Sequence, residues 1–124
     1  MRLRDLKLTN YRNCKDLELD LSSKKILIIG KNAQGKTNIL ESIYFLSTLK
    51  SPRTSNNTEL INFEAEKAEI NCNMIKAETD VELDFTYSRE KKRELALNKV
   101  KTTPKNFKSV LKTVLFSTAD LLLL

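Results

Sequence analysis

Leu6 and Leu8 alternate with Asp5, Lys7 and Thr9, and Leu17, Leu19 and Leu21 alternate with Asp16, Glu18 and Asp20. A repeat of two is the spacing of a strand that buries one face, so two strands are predicted, linked through Tyr11-Arg12-Asn13-Cys14. After the polar turn Ser22-Ser23-Lys24-Lys25 comes Ile26-Leu27-Ile28-Ile29, which has no alternation. A short unbroken apolar run bounded by a turn and a glycine fits a strand buried on both faces. Ile39, Leu40, Ile43 and Leu46 then recur at helical spacing with no proline before Pro52, which predicts a helix over about residues 36–48.

Residues 50–58 are polar and read as a loop, with a short helical turn expected near residues 59–63. Ala68, Ile70, Cys72 and Met74 alternate with polar neighbours, as do Val81, Leu83, Phe85 and Tyr87, which predicts two further strands with Cys72 as a core thiol. A charged turn at 89–94 leads to a shorter, weaker strand over 95–101. Pro104 opens a predicted helix with Phe107, Val110 and Leu111 inward. Val114-Leu115-Phe116 resembles another buried strand, and Ser117 with Asp120 has capping-box spacing. The fold class is therefore α/β with α+β character: a mixed sheet, a helix after the glycine loop and an added antiparallel hairpin region.

The chain has 124 residues, room for one domain. No apolar run approaches the ~20 residues that span a bilayer, and the start lacks the apolar stretch of a secretion signal. Two cysteines far apart make no disulfide framework, and the absence of histidine excludes sites that need imidazole. A reduced, cytoplasmic chain is expected. Its last four residues, all leucine, read as the end of a chain truncated at its C-terminus, since an intact domain rarely leaves a last turn wholly apolar.

Glycine changes the picture most. The chain has two, Gly30 and Gly35, against roughly nine at average usage. Both fall within Gly30-Lys31-Asn32-Ala33-Gln34-Gly35-Lys36-Thr37, which fits G-x-x-x-x-G-K-[ST], the phosphate-binding loop of nucleotide triphosphatases. The glycines allow backbone turns that aim N–H groups at phosphate oxygens, and the following helix adds the positive end of its dipole. Lys36 supplies a point charge for the β- and γ-phosphates of a nucleotide, and Thr37 supplies a hydroxyl for Mg²⁺. The motif sits where its mechanism needs it, after a buried strand and before an amphipathic helix.

Net charge is +6, and it is concentrated. Between Arg89 and Lys112 stand nine lysines and arginines against Glu90 and Glu94. Such a stretch attracts DNA through its phosphates, with Arg89, Lys91, Lys92 and Arg93 as candidate contacts. It equally fits a solvated hairpin edge whose lysines block edge pairing. Both readings stay open.

Asn10-Tyr11-Arg12-Asn13 ahead of the phosphate loop, then Asn38, Leu40-Glu41-Ser42-Ile43-Tyr44, Lys50-Ser51-Pro52-Arg53-Thr54 and Glu59-Leu60-Ile61, resemble the RecF family. That family belongs with the ABC-type ATPase heads of the structural-maintenance-of-chromosomes group. The likeness touches the whole chain but only about the N-terminal third of a RecF protein. It implies ATP and Mg²⁺ as cofactors, a cradle of Gly30, Lys31, Asn32, Ala33, Gln34, Gly35, Lys36, Thr37 and Asn38, and an Arg12 that contacts phosphates. It also implies an ATP-dependent homodimer that binds DNA, and RecO, RecR and RecA as partners in recombinational repair and the SOS response. Three features depart from the family pattern: Ala33 in place of glycine, which requires a negative φ, Pro52 in the loop after the helix, and the pair Thr118-Ala119 before Asp120. The 124 residues hold no apolar run ending in an acidic pair and no Leu-Ser-x-Gly segment, so weak nucleotide binding without appreciable turnover is expected. A small nucleotide or metabolite kinase, with Arg89 and Arg93 as lid arginines, and a non-catalytic remnant are the alternatives.

Overall fold

The computed structural model describes residues 2–20, 33–51, 53–90 and 92–111. The first alternating segments form β1 (Arg2–Tyr11) and β2 (Cys14–Asp20), antiparallel, with Leu6 opposite Leu19 and Leu8 opposite Leu17. The longer alternating segments form β3 (Lys67–Lys76) and β4 (Thr79–Ser88). With β5 (Arg93–Leu97) and β6 (Val100–Lys101) they complete a sheet of order β2-β1-β3-β4-β5-β6, antiparallel at every pairing among the described residues. The strands expected at 26–29 and 114–116, the latter with its Ser117 cap, lie outside the described residues, as does the terminal run of leucines.

One expectation is corrected. The single weak strand over 95–101 is a hairpin: Asn98 and Lys99 take φ of 52° and 67° and reverse the chain in two residues, leaving β5 and β6 on either side. Left-handed backbone at both central positions matches the twist of flanking strands, and asparagine tolerates it well. The turn between β3 and β4 is built the same way from Ala77 (φ 52°) and Glu78 (φ 64°). Neither hairpin uses glycine, in keeping with a chain that places its only two in the phosphate loop.

Period-two alternation sends Leu6, Leu8, Ile70, Cys72, Met74, Leu83 and Phe85 to one face of the sheet, where each is essentially shut off from solvent. Burial, with Asp5 nearby, pushes the Cys72 thiol up to about 12, so it stays an inert core group. The helix α1 (Ala33–Thr48) joins this core through Ile39, Ile43, Phe45 and Leu46, and Phe45 meets Phe85 edge-on at 4.7 Å. Its start is three residues earlier than apolar spacing predicts, because spacing marks only the buried face. The helix α2 (Pro104–Ser109) closes the β5 side with Phe107, followed by buried Val110 and Leu111. Its first turn has proline inside and the Thr103 side chain capping the Asn106 N–H.

A 3₁₀ turn at Asn57–Leu60 replaces the helical turn expected near 59–63. Asn56 sets its start by capping Thr58 N–H, and Ile61 is drawn into an extended bridge with Tyr11. The chain after α1 is thereby pinned to the β1–β2 turn: Arg12 N–H donates to Leu60 O and Asn62 N–H to Asn10 O, both at 2.8 Å. Among the described residues no helix is long and apolar enough to cross a membrane.

Candidate functional site

Ala33, Gln34, Gly35 and Lys36 form the first turn of α1, and Thr37 and Asn38 follow in its second. Gly30, Lys31 and Asn32 lie outside the described residues. Gly35 does not take the left-handed backbone that a loop glycine supplies, since no described glycine has positive φ. A glycine at this point has no Cβ to stand over the N–H groups of the first helical turn. Ala33 also keeps negative φ, the condition under which a methyl group is tolerated there. The free N–H groups and the positive dipole end of a sixteen-residue helix thus fall within the second half of the G-x-x-x-x-G-K-T motif. Half-buried Thr37, directly after Lys36, offers the hard oxygen donor that Mg²⁺ prefers, so the residues present fit that ion.

One to two turns further along α1 lies a cluster that charge and periodicity do not reveal. The Glu41 carboxylate is wholly buried and accepts six hydrogen bonds. Arg12 donates from Nε at 2.7 Å and from Nη2 at 2.8 Å, one bond to each oxygen. Arg53 does the same at 3.0 and 2.7 Å. Tyr11 Oη donates to Oε1 at 2.5 Å and Ser51 Oγ to Oε2 at 2.5 Å. Arg53 also donates to Asn38 Oδ1 at 2.9 Å, while Asn38 Nδ2 donates to Asn13 Oδ1 at 2.5 Å. Three segments distant in sequence are therefore tied at one carboxylate: the β1–β2 turn, the helix that carries the phosphate loop, and the loop after that helix.

Burial by itself would raise the Glu41 carboxyl, but hydrogen bonds from Arg12, Arg53, Ser51 and Tyr11 overcome it and hold the group at about 2. Burial and the Glu41 charge push the Tyr11 phenol well up, so it stays a donor at all ordinary pH. Burial works against the Arg12 charge, yet the bonds to Glu41 win and raise it, fixing the guanidinium as a cation. Two cations face one anion here, leaving a surplus positive charge at the base of the loop-bearing helix.

The sequence expectations divide accordingly. Of the cradle residues that the resemblance implies, Ala33, Gln34, Gly35, Lys36, Thr37 and Asn38 stand at consecutive positions at the start of α1. Asn38 is fully buried and both ends of its amide are occupied by Arg53, Asn13 and Cys14. Arg12 stands beside α1 with its guanidinium on Glu41. Glu41, Ser51, Arg53 and Tyr11 carried no role in the sequence reading. Asn38, Glu41 and Ser42 form a polar stripe at helical spacing, which from sequence looks like a solvent face, yet all three are buried.

Among the described residues the basic segment is divided between two turns. Arg89, Lys92 and Arg93 lie at or beside the β4–β5 turn, Lys91 being outside the described residues, while Lys99 lies in the β5–β6 turn at the other end of β5. Lys99 pairs with Glu82 at 3.2 Å and reaches Asp84 at 4.0 Å. Lys92 pairs with Glu90 at 3.5 Å. The Arg89 guanidinium donates to two backbone carbonyls, Ala65 O at 2.6 Å and Asn62 O at 3.0 Å.

Residues 1–120 match the AAA ATPase domain family. The DNA replication and repair protein RecF of Clostridium kluyveri is 38% identical over 122 residues, covering 98% of this chain and 34% of that protein. RecF of Bacillus subtilis is 36% identical over 121 residues, covering 98% and 33%. The chain thus spans about a third of the length of the relatives it matches. Among solved structures, the recombination mediator protein RecF with ATP, from the RecFOR pathway, superposes with a TM-score of 0.75 at 31% identity, covering 82% of this chain and 28% of that one. An SMC ATPase studied for ATP-driven dimerisation reaches 0.81 at 19% identity, covering 98% and 89%, which shows the shared fold.

Proposed function

The chain belongs to the AAA ATPase domain family and to the RecF family, and on that premise we propose that it binds ATP with Mg²⁺ and engages DNA in an ATP-dependent manner during replication and repair. The observation that supports this reading is the G-x-x-x-x-G-K-T motif, whose Gly35 and Lys36 fall in the first turn of α1. Lys36 neutralises the β- and γ-phosphates, and the first-turn N–H groups hold their oxygens. Thr37 would hold Mg²⁺, and the ion would supply positive charge against the phosphates. Glu41 keeps Arg12 beside the helix as a fixed cation, where it adds to the positive field that an anionic nucleotide meets.

ATP is proposed to bring two copies together over DNA, with RecO, RecR and RecA as further partners, in the cytoplasm, during recombinational repair and the SOS response. Hydrolysis is proposed to need residues beyond these 124, so the chain alone holds nucleotide without appreciable turnover. The kinase alternative is weakened by Arg89, which is fixed to the carbonyls of Asn62 and Ala65, whereas a lid arginine has to move with its lid.

Retention on duplex and gapped DNA, measured with and without ATP-Mg²⁺, tests the proposal. ATP-stimulated retention that is lost in Lys36→Ala is the expected result. Retention indifferent to ATP and to Lys36→Ala, or phosphorylation of a small acceptor in its place, contradicts it.

A further inference from the structure

Phe63 is 84% exposed, the most exposed large apolar side chain among the described residues. Leaving such a ring in water forgoes the gain of burying it, and its setting is not that of a loose loop. Residues 62–65 form a tight turn in which Ala65 N–H donates to Asn62 O at 2.8 Å and Glu64 N–H donates to Asn62 Oδ1 at 3.0 Å. Asn62 itself is buried and anchored to Asn10 O. Arg89 then clamps the turn from outside, with Nε on Ala65 O, Nη2 on Asn62 O and its backbone N–H on Glu66 O at 2.9 Å. The ring is thus displayed on a braced support whose own clamp is a cation.

The charges around it differ in how they are spent. Lys15 pairs with Glu64 at 2.9 Å and Lys92 with Glu90, so those cations are partly offset. Among the described residues the Arg89 guanidinium bonds only neutral carbonyls and keeps its full charge, and exposed Arg93 opens the next strand. Exposed Glu66, whose side chain forms no ion pair among the described residues, is the acidic group left on this turn. An exposed aromatic ring carried on the turn that an arginine clamps is a combination suited to single-stranded nucleic acids, the ring stacking on a base and the cation meeting the adjoining phosphate.

We propose that Phe63 and Arg89 form a stacking site for one unpaired nucleotide of a single-stranded nucleic acid. The proposal rests on the DNA-binding reading above and gives it a place on the molecule. It assigns recognition to the open face of a base, without sequence preference, and leaves duplex binding to phosphate contacts elsewhere.

The chain contains no tryptophan, so Phe63→Trp installs a single fluorescent reporter. The probe is an oligothymidylate, compared with a blunt duplex of equal length, with ATP-Mg²⁺ present. The expected result is quenching of the introduced indole's emission by the oligothymidylate and not by the duplex. Phe63→Ala should weaken single-strand binding about tenfold, leave duplex binding within twofold and keep the slope of affinity against salt. If wild-type chain binds DNA but Phe63→Ala binds single strands as tightly, or loses single-strand and duplex binding alike, the stacking site is refuted and the DNA-binding reading stands. Indole emission from Phe63→Trp that is already shifted to short wavelength and unmoved by oligothymidylate refutes it too, by showing the ring covered by protein. Absence of any DNA binding by wild-type chain overturns both.

Discussion

Glu41 shows how much one residue can organise. A carboxylate taken out of water is costly unless it is paired and hydrogen-bonded, and this one has two guanidinium groups, a phenol and a hydroxyl on it. Removing its charge leaves Arg12 and Arg53 as half-buried cations around a neutral acceptor. Glu41→Gln should therefore cost about 3–5 kcal/mol in urea unfolding, far more than an exposed glutamate, while Lys7→Ala, at an exposed pair, should change little. The pH dependence follows from the same bonds. The folded carboxyl sits at about 2 against an ordinary value of 4.5, so its contribution is complete above roughly pH 4.5 and disappears as pH falls toward 2. Acid unfolding of wild-type chain should be steep in that window, and the Glu41→Gln profile should be flatter there. Equal slopes in the two chains would show that the carboxylate is not held as described.

Elements were legible from sequence where burial imposes a period. β1 to β4 follow from alternation, and α2 from Pro104 and its inward Phe107. The phosphate loop was legible because its chemistry fixes residue types at fixed spacing. The turns were not, because this chain reverses direction without glycine or proline. Ala77-Glu78 carries no turn signature, and Asn98-Lys99 only half of one, yet all four residues take left-handed backbone. The polar cluster was hidden for another reason: Glu41 is paired with distant Arg12 and Arg53, and periodicity cannot show a partner. The turn geometry makes its own prediction. Left-handed φ costs roughly 1–2 kcal/mol for a residue with an ordinary side chain. Replacing Ala77 and Glu78 together by Asn and Gly, the preferred pair for this turn, should stabilise the chain by about 1 kcal/mol in thermal or urea unfolding. Destabilisation by the double change would mean that the left-handed turn is not the native one.

At the scale of the molecule, an antiparallel sheet and a helix that begins at a phosphate loop are joined twice, by an apolar interface and by a buried ionic cluster. The apolar interface sets where α1 lies. The cluster fixes its relation to the β1–β2 turn and to residues 51–53, so the loop-bearing helix is braced on both sides before any nucleotide arrives. Preorganisation of this kind lowers what an anion must spend on ordering its own site. ATP binding at that site is the claim on which the rest depends. The most direct measurement is calorimetric titration of the chain with a non-hydrolysable ATP analogue and magnesium, wild type beside Lys36→Ala. Saturable binding at one nucleotide per chain that Lys36→Ala abolishes, with the variant still folded by circular dichroism, is the predicted result. Heats indistinguishable between the two folded chains, or none in either, would contradict it.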